Sequence, residues 1–120
     1  MLDLVCDLSM TKDLIIYTDG GARGNPGPAA LGFVIYDASS QELLFQKGEY
    51  LGEQTNNYAE YMALVRSLET AQSLGGEVLD IRMDSQLIVR QMQGLYKIKQ
   101  PHLRLLADQV FKLLRTFKKF

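Results

Sequence analysis

Only one cysteine, Cys6, and one histidine, His102, occur in the 120 residues. A single thiol excludes an internal disulfide and suits a reducing cytoplasm. The lone histidine stands just ahead of an apolar helical stripe and reads as a solvated helix-start residue. The first ten residues hold Asp3 and Asp7 but nothing basic, unlike a signal peptide, and no apolar run approaches membrane-spanning length. Internal repeats, low-complexity stretches and a GxxxxGK phosphate loop are all missing. What remains is one cytoplasmic domain over residues 1–120, with 1–12 as an N-terminal extension and no membrane partner. At 47% hydrophobic residues it has material for a real core but not for two.

Charge is scarce in total and uneven in placement. The net value is −1, yet the segment from Lys97 onward carries +6 and residues 1–96 carry −7. An acidic body with a basic tail can hold cations on one part and track phosphates with another, although any single charge run is also a solvated helix face.

Residues 14–28, LIIYTDGGARGNPGP, organise the chain. Residues 14–17 are apolar at successive positions, which predicts a central strand covered on both faces. Asp19 follows at the strand's end, where a carboxylate loses hydration and needs a compensating partner such as a cation. Gly20, Gly21, Gly24 and Gly27 remove side-chain bulk and let a ligand approach the backbone. The alternative is structural, because Asp19-Gly20 between two strands is also a hairpin signal.

Strands are expected over residues 31–36 and 43–51, completing a three-stranded antiparallel meander. A helix over 57–74 closes at Gly75-Gly76, with Tyr61, Leu64, Val65, Leu68 and Ala71 as its core stripe. Asn57 and Glu60 have the spacing of a capping box. Residues 78–83 alternate as a fourth strand ending in Asp84, which also suits the N-cap of a short helix over 85–92. A last helix over 102–117 carries Leu103, Leu106, Val110, Leu113, Leu114 and Phe117 on one stripe.

Asp19, Glu60 and Asp84 therefore each have a structural explanation, and their joint placement favours chemistry. If the fourth strand crosses over to lie parallel beside the first, Asp19 and Asp84 share the sheet edge at which α/β folds bind ligands. Three carboxylates there repel one another unless divalent cations are shared among them, and oxygen ligands suit Mg²⁺ or Mn²⁺.

Three strings in this order and spacing, TDGGARGNPGP (18–28), TNNYAE (55–60) and DSQLIV (84–89), closely resemble the type I ribonucleases H. The resemblance covers residues 13–117. It implies an RNase H-like α/β fold whose mixed sheet runs 3-2-1-4, with a fifth strand after it in the family. It also implies metal-dependent cleavage of the RNA strand of RNA–DNA hybrids. Matched by motif, Asp19, Glu60 and Asp84 are catalytic ligands for two Mg²⁺ or Mn²⁺ ions. Gly20, Asn25, Asn56 and Gln86 match substrate-facing positions, and Thr55 matches a phosphate contact. Polar groups suit a 2′-OH, which both donates and accepts.

The chain departs from the family twice. Only LYKIKQ fills the interval in which many bacterial members carry a basic protrusion, and Lys97 and Lys99 are the substitutes. The chain also stops at Phe120, before the fifth strand, a histidine-bearing loop and a last helix with a fourth carboxylate, so it is either a fragment or a short member. The open edge of the fourth strand then invites a second copy, giving a homodimer, or the N-terminal residues 2–8. Two other functions stay in view. One is a hybrid-binding module without turnover. The other is an actin-like ATP site, which needs a second domain that 120 residues do not supply.

Overall fold

The computed structural model describes residues 12–94 and 97–120. Strands β1 (Asp13–Ala22), β2 (Gly27–Asp37) and β3 (Leu43–Gln54) form the antiparallel meander. Strand β4 (Val78–Met83) lies parallel to β1 on its free side, and the sheet order is β3-β2-β1-β4. Helix α1 (Asn56–Ser73) links β3 to β4, α2 (Gln86–Met92) follows β4, and α3 (Pro101–Leu114) comes last. This is the mixed α/β sheet expected.

The core explains the order of layers. Leu14, Ile16, Leu31, Phe33 and Ile35 point from the sheet at α1, and Leu103, Ala107, Val110 and Leu114 of α3 close over its far side in the same cluster. The predicted α1 stripe is buried throughout, and Met62, Ala63 and Ser67 are buried as well, because this helix is covered from two directions. Each large apolar side chain so enclosed contributes roughly 1.5–3 kcal/mol, which makes α1 the central strut of the fold. Gly75, at φ +78°, ends it where predicted.

Three expectations are corrected. Strand β1 does not end at Asp19 but continues to Ala22, so the Asp19-Gly20 hairpin alternative fails too, and the turn falls at residues 23–26, closed by Arg23 N donating to Pro28 O at 2.9 Å. Nor is β1 covered by helices on both faces. Ile15 is half-buried and Tyr17 is 41% exposed, screened by the edge of Tyr36 and by Arg82. An apolar run marks a central strand, but a tyrosine's polar end tolerates water.

Helix α3 ends at Leu114, short of the predicted residue 117, and Phe117 still reaches the core from the turns that follow. Those turns reach the edge of β4 without adding a strand to the four-stranded sheet. Lys119 bridges Val78 in parallel, and Leu79 N donates to Lys119 O at 2.9 Å. The chain's own residues thus occupy the near end of the β4 edge, and nothing in the structure supports the homodimer expected there. The fold-back route for residues 2–8, and the N-terminal extension up to residue 11, lie outside the described residues.

Candidate active site

The parallel ladder pairs Thr18 with Met83, so the residues that follow, Asp19 within β1 and Asp84 just beyond β4, come out at the same end of the sheet. Both are exposed and line one trough of about 820 Å³, with Gly32 in its floor and Tyr17 and Arg82 beside it. Arg82 is held by Asp80 at 2.9 Å and by the Tyr17 hydroxyl at 2.8 Å.

Glu60 reaches the same end from α1. The helix comes this close because residue 20 is glycine. A Cβ there would lie 2.7 Å from Glu60 N and 2.5 Å from the Ala59 carbonyl carbon, so no side chain fits between strand and helix. Half-buried, the Glu60 carboxyl is held above the usual carboxylate range by burial. A hydrogen bond from Ser85 partly offsets this, and the Asp19 charge adds to it.

A raised carboxyl binds its proton more tightly folded than unfolded, so ionised Glu60 costs stability above its folded pKa. That cost disappears as pH falls toward the unfolded value. Glu60→Gln is therefore expected to be more stable than the parent at pH 7 and indistinguishable from it at pH 3.5, as urea midpoints would show.

The structural explanations for the acids pass to their neighbours. Thr55, and not Asn57, is the N-cap of α1, its hydroxyl oxygen accepting from Tyr58 N at 3.2 Å, so Glu60 closes no capping box. Ser85, and not Asp84, caps α2, accepting from Ile88 N at 3.3 Å. Ser, Thr, Asp and Asn all cap well, which is why the sequence left the choice open. With both caps filled, neither carboxylate is needed to start a helix.

The residues matched to substrate positions divide into two groups. Asn25 and Asn56 knit the site together: Asn56 N donates to Asn25 Oδ1 at 3.0 Å, and Ala22 N donates to Asn56 Oδ1 at 3.1 Å. Asn56 Nδ2 lies 3.4 Å from Glu60 Oε1. Thr55 accepts at its cap and keeps a hydroxyl proton to donate. Gln86 is exposed at the start of α2. Lys97 and Lys99 are exposed beside a groove shared with Asn57 and Leu87, near the same ends of α1 and α2. The basic tail is not one track, because Lys118 sits 3.6 Å from Glu77 at the opposite end of β4.

Sequence reasoning passed over Ser85 and Tyr61. Ser85 touches Glu60, and Tyr61 ties α1 to α2 through Gln91 at 2.6 Å, its phenol pushed by burial up to about 12. The serine adjoining Asp84 was the available signal for the first. A tyrosine inside an apolar stripe was the signal for the second.

Among the described residues no three His, Cys, Asp or Glu side chains close a ready-made metal cage. The donor set nevertheless fits Mg²⁺, which is held through one or two carboxylates together with substrate phosphate oxygens. A carboxyl raised partly by a neighbouring anion is also one that a cation would relieve.

Comparison with known proteins adds three relatives. The family profile described as "Reverse transcriptase-like" matches residues 17–120. The bifunctional protein Rv2228c of Mycobacterium tuberculosis is 41% identical over 106 residues, 88% of this chain but 29% of that protein. The solved structure of its N-terminal RNase H domain superposes with a TM-score of 0.86 at 40% identity, over 89% of this chain and 82% of that one. Ribonuclease HI of Halobacterium salinarum is 40% identical over 101 residues, 84% of this chain and 50% of its own length. The structure of LC11-RNase H1 in complex with an RNA/DNA hybrid matches with a TM-score of 0.80 at 48% identity, over 88% of this chain and 78% of that one. The chain thus spans half or less of these two curated relatives.

Proposed function

Since the chain belongs to the type I ribonuclease H family, we propose that it is a single ribonuclease H domain. In this reading it hydrolyses the RNA strand of RNA–DNA hybrids at Asp19, Glu60 and Asp84, in the cytoplasm. The observation that carries the reading is the pair of caps at Thr55 and Ser85. They release Glu60 and Asp84 from structural duty at the sheet end that also holds Asp19. Asp19, Glu60 and Asp84 are the residues that would hold two Mg²⁺ ions in this reading. Such ions supply an activated water and stabilisation of the leaving 3′ oxygen. The chain's residues hold the charge and the geometry. Gly20 keeps Glu60 against β1, Asn56 Nδ2 donates to its carboxylate with Ser85 beside it, and Gln86 and Thr55 offer donors at the rim.

The test is a comparison of substrates. A labelled RNA strand is presented in hybrid, in RNA duplex and alone, and cleavage confined to the hybrid is expected. Gel-shift binding without cleavage would identify a binding module instead. Lys97 and Lys99 are the proposed phosphate contacts near the site. Replacing both by glutamine is expected to weaken hybrid binding and reduce the slope of log K against log salt by roughly one to two units. An unchanged slope would move the phosphate track elsewhere.

A further inference from the structure

We infer that Tyr61 and Gln91 form a positioning pair that fixes α2, and with it Asp84 and Gln86, relative to Glu60. The inference rests on the active-site reading above. Tyr61 follows Glu60 directly, and its hydroxyl donates a 2.6 Å hydrogen bond to Gln91 Oε1 near the end of α2. Both ends of this bond are enclosed, Tyr61 at 0% and Gln91 at 8% exposure.

Helix α2 has seven residues, too few to be stable by itself. Gln86, Leu87 and Arg90 face water, and the buried Ile88 is its main anchor in the core, with Met92 packed partly buried against the same cluster. An apolar anchor is non-directional and lets a short helix rotate about it, whereas a hydrogen bond fixes both distance and angle. One such bond holds α2: Gln91 accepts from Tyr61 one residue before the helix ends, while Ser85 stands beside the Glu60 carboxyl at its start. Of two consecutive residues of α1, Glu60 therefore faces the start of the element that follows Asp84 and Tyr61 grips its end. Packing alone does not call for the phenolic hydroxyl, because phenylalanine fills nearly the same volume. The hydroxyl's distinct contribution is orientation.

Tyr61→Phe is expected to lower kcat for hybrid cleavage about 10- to 100-fold and to raise the Mg²⁺ concentration at half-maximal rate, the scale on which outer-shell groups act, with KM for the hybrid little changed. Tyr61→Phe with Gln91→Met separates orientation from stability. Two apolar partners leave no buried group unpaired, so the melting temperature returns to near the parent value while kcat stays low. Parent stability together with parent kcat in the double variant would overturn the inference, as would a parent kcat in Tyr61→Phe. Hydrogen exchange at the Ile88 and Val89 amides, which donate to Ser85, reads the same question without activity. Faster exchange in both variants supports the inference even if the parent cleaves nothing, and parent-like exchange in both contradicts it.

Discussion

Asp19→Asn is expected to lower hybrid cleavage at least about 100-fold, the scale on which one charge-stabilising group counts at a catalytic centre, while the protein stays folded. The substitution keeps the shape of the side chain and removes one negative charge from the end of the sheet where Asp84 also emerges. Asp19 is exposed, so no packing is lost. Its charge is one of the causes that raise Glu60, so the remaining carboxyl should titrate lower in the variant, and the melting temperature should hold or rise. Single-turnover cleavage and thermal unfolding on the same preparation check both halves. Cleavage at the parent rate would remove Asp19 from the catalytic set.

Gly20→Ala should fail in the opposite manner, through the fold. The added carbon would meet backbone atoms of Ala59 and Glu60 at 2.5 and 2.7 Å, and backbone does not rotate aside as a flexible side chain does. Relief requires β1 and the start of α1 to separate. Overpacking of this kind costs about 1–3 kcal/mol or more. For a domain of this size that corresponds to a fall in melting temperature of roughly 5–20 °C. Because the contact lies between Asp19 and Glu60 in the chain's own geometry, whatever remains folded should also cleave poorly. Unchanged stability would mean that strand and helix do not meet there.

How far the sequence foretold this architecture depends on the kind of signal. Period-two alternation placed β4 with Leu79 inward and Asp80 and Arg82 outward, and the structure agrees. The end of β1 was placed at Asp19 because Asp-Gly is a strong local turn signal, yet pairing with β2 carries the strand past it to Ala22 against Ala29. Caps were ambiguous because Thr55 competes with Asn57, and Ser85 with Asp84, on equal chemical terms, and only the backbone decides. The close approach at Gly20 and the Tyr61–Gln91 bond join residues distant in the chain, and no window of sequence contains both partners. That Asp19 and Asp84 emerge at one end of the sheet was readable from the crossover of a parallel fourth strand. That Asn25 and Asn56 spend their side-chain oxygens on the backbone N–H groups of Asn56 and Ala22 was not.

The most direct test of the central claim is the chemistry of the cut RNA ends. Hydrolysis by a water activated at Asp19, Glu60 and Asp84 with Mg²⁺ predicts 3′-hydroxyl and 5′-phosphate termini at internal sites of the hybrid's RNA strand, with cleavage abolished by EDTA and restored by added Mg²⁺. Cleavage that persists in EDTA, or RNA fragments ending in a 2′,3′-cyclic phosphate, would contradict it.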